Sequence, residues 1–402
     1  MTTTILDAAP FIPSEKSLDA CDLPDKTIEL ATSSAKVAGG IDAITQDTIR
    51  RHMIVINSYY SNLIEGNSTK PHEIRAAQKG NYNTDPLKRD LQLESLAHIH
   101  VNEWIQGQNL DLDRLYSVEF AKEIHKNFYE QIPESLREIK SKDGLKLDVV
   151  IPGELRNRDV DVGNHIAPEA ECIEAILGRF FETYHPKRFS SHKKIISVMA
   201  AHHRFLWIHP FLDGNGRVSR LFTDTALKLI GLDSYGMWCV SRGLARSSSN
   251  YKFHLANADA AQQGMLDGRG PLSEKGLMGF CGNMIETALD QVSYISDTLE
   301  LTNMRKRINS YVQARIDGRV QGASSDIKKS AGLVLYSAFL QGELSRSDAM
   351  ALTGLKERSG RRLLSSLKSD GLISETSSKS PFRWEIPEHA EPWYFPNLTP
   401  GI

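Results

Sequence analysis

The run His209-Pro210-Phe211-Leu212-Asp213-Gly214-Asn215-Gly216-Arg217-Val218-Ser219-Arg220 constrains this chain more than any other stretch. It joins two segments of helical character, residues 190–208 and 218–232, so the fold must set a glycine turn at the mouth of a helix. Such a turn aims backbone N–H groups outward, and the helix dipole adds partial positive charge, which together make an anion site. Arg217 and Arg220 are three apart, lie on one helix face and can reach the same anion. Asp213 is a hard oxygen donor suited to Mg²⁺. His209 is the one group in the run that takes a proton near neutral pH. Anion cradle, magnesium ligand and general base read as phosphate-ester chemistry on a nucleotide. The bland alternative is an ordinary joint between two helices.

Composition narrows the class without naming it. With 402 residues, one to three domains and a sizeable core are expected. The 40% hydrophobic and 24% charged content is that of a globular protein, and a net charge of −2 gives no global basic field for nucleic acid or anionic membrane. Cys21, Cys172, Cys239 and Cys281 are scattered with no CxxC pair, which argues against a disulfide framework or a zinc site. No apolar run approaches the ~20 residues of a membrane span, and residues 1–20 do not have the pattern of a signal peptide. The expected localisation is cytoplasmic, with no membrane partner.

The run resembles the signature of the Fic family, His-x-Phe-x-(Asp/Glu)-Gly-Asn-Gly-Arg-x-x-Arg, at all eight of its fixed positions. The resemblance implies a mainly α fold: a Fic-type helical core with a β-hairpin flap. It implies transfer of AMP from ATP to a Ser, Thr or Tyr hydroxyl of a protein, with pyrophosphate leaving. In that scheme His209 deprotonates the hydroxyl and Asp213 holds Mg²⁺ between the α- and β-phosphates. Gly214, Asn215 and Gly216 form the anion hole, and Arg217 and Arg220 hold the β- and γ-phosphates.

Upstream, residues 145–165 alternate polar and apolar side chains around Pro152-Gly153, as a hairpin would. Gly153-Glu154-Leu155-Arg156 and the stretch from Val160 to Pro168 resemble the family's flap, which holds the target segment over the site. Val162, Gly163, Asn164 and His165 would border the nucleotide. Tyr251 resembles the family's tyrosine near adenine, although the family often has two adjacent tyrosines there and this chain has one. Asp259 sits where some relatives place a polar nucleotide contact. His202 and His203 lack metal-ligand spacing to His209 and read as core, as do Trp207 and Phe211, the latter bracing the loop.

A second constellation precedes the core. Ile49, Met53, Ile56, Tyr60 and Leu63 define one face of a helix over about 46–66 that Gly66 should end. Glu65 then stands at the negative end of its own helix, disfavoured unless a cation compensates. Ser61-x-x-x-Glu65-Gly66 matches the inhibitory pattern (Ser/Thr)-x-x-x-Glu-(Gly/Asn) of Fic proteins. The resemblance implies that Glu65 pairs with Arg220 and takes the place of the ATP γ-phosphate, an intramolecular brake.

The remaining segments frame this core. Residues 1–28 carry Pro10, Pro13 and Pro24 and read as an extended arm; 29–317 would be the Fic domain, with its catalytic core at about 115–265; and 318–325 a linker. In 326–402 a helix over 327–340, a second capped by Ser345, a third over 356–369 and two short strands in 372–386 give the order of a winged helix. Lys356, Arg358, Arg361, Arg362 and Lys368 on the third helix, with Lys379 and Arg383 in the wing, raise DNA binding. Glu357, Asp370, Glu375, Glu385, Glu388 and Glu391 offset them. Three functions stay open at this point: AMP transfer restrained by Glu65; AMP removal or another phosphoryl or nucleotidyl transfer on the same fold; and a DNA-binding transcriptional regulator. The expected partners are a protein target docking on the flap, the chain itself as substrate, and a homodimer.

Overall fold

The structure is a computed structural model and describes residues 3–140, 146–163, 165–190, 192–232, 234–324 and 326–399. The fold is mainly helical with small sheets, as expected. The chain divides into two compact units. The larger takes in residues 1–32, 57–233 and 239–291, the smaller 33–56, 234–238 and 292–402.

In the larger unit the helix His192–Ile208 is buried along most of its length, from Ile195 to Ile208. A helix can run so deep only if its polar side chains find partners. His202 hydrogen-bonds Thr223 Oγ1 and Tyr251 Oη, both at 2.8 Å. His203 Nε2 donates to the Leu255 carbonyl at 3.1 Å, and Arg204 to the carbonyls of Ala258 and Pro10, both at 3.0 Å. An aromatic cluster of Phe180, Phe181, Phe205 and Phe222 fills the space beside it, with ring centroids 5.0–6.5 Å apart. Around this axis stand the helices Pro86–Gly107, Val118–Glu130 and Asn215–Leu229, the first two capped by Asp85 and Ser117.

Two expectations need correcting here. Residues 3–28 do not form the extended arm expected of 1–28. Thr4 and Ser14 cap the short helices Ile5–Ala8 and Glu15–Asp19, and a longer helix, Leu23–Gly39, begins soon after. Ile5, Ala8 and Leu18 are buried, and Tyr184 Oη donates to the Phe11 carbonyl at 2.8 Å. The flap is also not one hairpin turning at Pro152-Gly153. Lys146–Val149 pairs backward with Glu138–Lys140, and Asp161–Val162 pairs with His165–Ile166 across a turn at Gly163, whose φ is +63°. The chain between them dips inward, where Arg156 bonds to the His209 and Pro210 carbonyls.

In the smaller unit the helices Ala331–Gln341, Arg346–Thr353 and Glu357–Ser369 precede the strands Ile373–Ser374 and Phe382–Trp384, which join Glu343–Leu344 in a three-stranded sheet with Phe382–Trp384 central. Helix, helix–turn–helix and wing follow in the expected order. Ser345 caps the second helix and Gly354, at φ +61°, ends it. The unit is wider than 326–402: Tyr311, from the helix Leu301–Ile316, packs edge-on against Tyr394 at 5.4 Å, and Thr45 Oγ1 donates to the Phe339 carbonyl at 2.8 Å. Four of the seven basic residues proposed for DNA have acidic neighbours. Arg361 pairs with Glu357, Arg362 with Asp326 at 2.8 Å, Lys368 with Glu375 and Arg383 with Glu343 at 2.7 Å.

Candidate active site

The loop 209–214 connects the buried helix to the helix Asn215–Leu229. His209 has φ +50°, a left-handed conformation that costs a non-glycine residue about 1–3 kcal/mol. Gly214 caps the following helix at φ +80°, and a Cβ there would meet the Tyr129 ring at 2.8 Å, so only glycine fits. Asn215 explains itself: its amide accepts from Phe211 N at 2.9 Å and donates to Phe211 O at 2.8 Å, which closes the loop. Its side chain is thus structural, and only its backbone remains for an anion. Phe211 is fully buried and stacks on His125 at 4.0 Å with the rings 6° from parallel.

Asp213 is held as a carboxylate. Burial would raise its pKa, but Arg217, a 2.6 Å hydrogen bond from Tyr129 Oη and the Gly214 N–H outweigh that and hold it below the ordinary range. No group of three or more His, Cys, Asp or Glu suited to a metal exists among the described residues. A single ionised carboxylate fits Mg²⁺, which takes one or two protein oxygens and completes its shell with phosphates and water.

His209 is kept neutral. Burial, then the charge of Arg156, lowers its pKa to about 4, so it is unprotonated at neutral pH, as a base must be. Its Nδ1 is buried with no hydrogen-bond partner.

The helix Ala43–Ile64 ends as the sequence requires, with Gly66 at φ +93° and Asn67 N–H reaching back to the Asn62 carbonyl at 3.0 Å. This end delivers three side chains to the two arginines. Arg220, 1% exposed, donates from Nε to Ser61 Oγ at 2.9 Å, and from Nη2 to Ser61 O at 3.0 Å and Glu65 Oε1 at 2.6 Å. Arg217 donates to Asn62 Oδ1 at 3.0 Å and to Glu94 Oε2 at 3.3 Å. Burial pushes the Glu65 pKa up, but Arg220 and Arg217 prevail and keep it a carboxylate. That carboxylate lies against Gly216 in the first turn of its helix: a Cβ on Gly216 would stand 2.2 Å from Glu65 Oε1. The chain's own acid thus stands at the helix mouth, where the dipole favours an anion.

Other expected residues fall at varied distances from this centre. Val162 is 37% exposed on its strand, while His165 turns inward and donates from Nε2 to the Trp207 carbonyl at 2.7 Å. Asn164 lies outside the described residues. Tyr251 is 4% exposed with its hydroxyl on His202, within the influence of Arg220. Asp259 stands 3.1 Å from His203 Nε2. Glu94, Asn62, Tyr129, His125 and Arg156 were not singled out for the site from sequence. The only advance signal among them was Arg156, through its place in the flap-like segment.

Comparison with known proteins now bears on this geometry. Residues 115–227 match the model of the Fic/DOC family. The protein adenylyltransferase Fic of Drosophila ananassae is 35% identical over 102 residues, 23% of this chain and 20% of that protein. The same-named protein of Drosophila mojavensis is 35% identical over 85 residues, 21% of this chain and 17% of that one. The match thus spans about a fifth of these relatives' length. Among solved structures, a Fic family protein from Desulfovibrio desulfuricans G20 aligns with a TM-score of 0.51 at 18% identity, covering 89% of this chain and 95% of that one. Fic-1 from C. elegans aligns with a TM-score of 0.54 at 13% identity, covering 71% and 74%. Identities this low establish a shared fold and nothing finer.

Proposed function

We propose that this chain, a Fic/DOC family protein through its residues 115–227, transfers AMP from ATP to a hydroxyl side chain of a protein and is restrained by its own Glu65. The observation that carries the reading is the ionised Glu65 on Arg220, set against Gly216 at the mouth of a helix. A site that draws in a carboxylate so closely is built for an anion, and its neighbours are a neutral base and a lone hard carboxylate.

In this reading the target hydroxyl gives its proton to His209 as its oxygen attacks the α-phosphorus. The bond from the α-phosphorus to the bridging oxygen breaks, and pyrophosphate leaves. Asp213 would hold Mg²⁺, which when bound neutralises charge on the phosphates. Arg217 and Arg220 take the terminal phosphates and fix the in-line geometry. While Glu65 occupies Arg220, the γ-phosphate lacks its partner and the α-phosphorus is misaimed. Val162 and Ile166, 37% and 78% exposed on the flap strands, offer an edge on which an extended target segment adds as a strand.

A second reading, removal of AMP, draws on the same carboxylate: an ionised Glu65 can orient a water. Purified chain and its Glu65→Gly variant, incubated with ATP labelled at the α- or the γ-phosphate and with cell lysate, separate these readings. AMP transfer labels protein from the α-label alone and more strongly in the variant. Phosphorylation labels from the γ-position. A removal enzyme instead strips label from AMP-modified protein and loses that ability with Glu65.

A further inference from the structure

We propose that Arg156 is the positioning residue for His209, holding the base in its left-handed backbone conformation from the root of the flap. The guanidinium is buried, and its nearest carboxylate among the described residues, Asp159 Oδ1, is 3.9 Å away on an exposed side chain. A buried cation without a close counter-ion must be satisfied by dipoles. Arg156 donates from Nε to the His209 carbonyl at 2.8 Å, from Nη1 to the Arg158 carbonyl at 2.8 Å, and from Nη2 to the Pro168 carbonyl. Its own backbone N–H adds a bond to the Pro210 carbonyl at 2.9 Å. One residue therefore grips two successive carbonyls of the catalytic loop, at the point where φ is +50°.

The rest of the loop is held in the same manner. His209 N–H donates to the Phe205 carbonyl at 3.1 Å, and the Phe211 backbone pairs with the Asn215 amide. His125 Nε2 donates to the Asp213 carbonyl at 3.3 Å while its Nδ1 accepts from Gly153 N–H at 2.9 Å. A strained backbone persists only when its surroundings over-determine it, and here the donors to the carbonyls of His209, Pro210 and Asp213 come from Arg156 and His125, outside the signature run. Arg156 also fixes the Pro168 end of the flap, so the segment that would receive the target and the loop that carries the base share one guanidinium.

The inference rests on His209 being the base. The test compares Glu65→Gly chains carrying Arg156→Lys, Arg156→Gln or His209→Ala, measuring kcat and KM for ATP in AMP transfer, affinity for a non-hydrolysable ATP analogue, and melting temperature. Arg156→Lys keeps the charge on a single donor nitrogen; Arg156→Gln keeps N–H donors without charge. The expected result is a kcat lowered about 10- to 100-fold in both, the size of loss that a misplaced reacting group produces. KM and analogue affinity stay within about twofold of the parent, because phosphate contacts are made by Arg217 and Arg220. Lysine recovers part of the loss. A folded variant with the parent's kcat overturns the proposal, and so does a joint fall of kcat, nucleotide affinity and melting temperature, which marks a fold determinant only. An active His209→Ala chain instead removes the base assignment itself.

Discussion

Arg220 Nη2 donates to Glu65 Oε1 at 2.6 Å while its Nε donates to Ser61 Oγ at 2.9 Å, so two residues one helical turn apart hold one guanidinium from both sides. The pair closes the anion position of the Asn215–Leu229 helix, and each partner of the arrangement makes a separable prediction.

Ser61→Ala removes one hydrogen bond from Arg220 but leaves its carbonyl contact and Glu65 in place. A hydrogen bond to a charged group contributes about 1.5 kcal/mol or more, so the brake should loosen about tenfold. The rate of AMP transfer by Ser61→Ala, measured against wild type and Glu65→Gly, should fall between them; a rate equal to wild type removes Ser61 from the restraint.

Glu94 holds Arg217 at 3.3 Å, and in the proposed reading it would compete with a phosphate for it. In a Glu65→Gly background, Glu94→Gln should raise ATP affinity by about two- to fivefold, in the range expected for a partly exposed ion pair. Calorimetric titration with ATP reads this directly, and a weakened affinity would mean that Glu94 orients Arg217 for the nucleotide instead.

Asp213→Asn should abolish the magnesium dependence of nucleotide binding and lower transfer by about 100-fold or more. Tyr129→Phe, which frees Asp213 Oδ2, should shift the magnesium concentration needed for half-maximal ATP binding while leaving binding without magnesium unchanged. Titration of each variant with ATP at fixed and zero magnesium checks both.

The pH dependence follows from buried neutral histidines. The pKa of His209 and of His125 is lowered to about 4, and that of His98 and His202 to about 3, chiefly by burial in every case. In the unfolded chain these groups take protons below the ordinary histidine value of about 6.5, while the folded chain does not. Stability contributed by the neutral forms is thus full above pH ~6.5 and is lost as the pH falls toward 4. Melting temperature should decline through that window, and His98→Leu should flatten the decline. The transfer rate should show no ionisation of the base between pH 5 and 7 if stability is maintained; a limb near 6.5 would mean an ordinary histidine.

Duplex DNA should bind the chain weakly at physiological salt, because Arg361, Arg362, Lys368 and Arg383 each stand beside an acid. A tight complex whose affinity falls steeply with salt, and whose slope flattens by roughly two in the Arg361→Ala, Arg362→Ala chain, would reverse this and favour the regulator reading.

The signature run announced its loop because each of its residues has a local duty: Gly214 a left-handed turn, Asn215 a closure, Arg217 and Arg220 one helix face. The Ser61–Glu65 helix was legible through its spacing and the cap at Gly66. What surrounds the loop was not. Glu94, Tyr129 and His125 sit on helices whose periodicity records only which side faces the core, and a buried polar partner on that side leaves no pattern. Arg156 was legible as flap but not as a clamp, because its bonds to the His209 and Pro210 carbonyls reach about 50 residues along the chain, and backbone acceptors carry no sequence signature. The flap's pairing was misread for a related reason. Strand alternation shows faces, not partners, and the inward pull of Arg156 separates two strand pairs that alternation alone had merged.

The central claim is that Glu65 restrains AMP transfer by occupying Arg220. The most direct measurement is the initial rate of α-labelled AMP incorporation into protein by wild type, Glu65→Gly, and Glu65→Gly with His209→Ala, at equal protein and saturating magnesium. The account predicts at least a tenfold rise in Glu65→Gly, the equivalent of about 1.4 kcal/mol of released restraint, and silence in the double variant. Equal rates in wild type and Glu65→Gly, with His209 still required, would contradict the restraint while leaving the transferase standing.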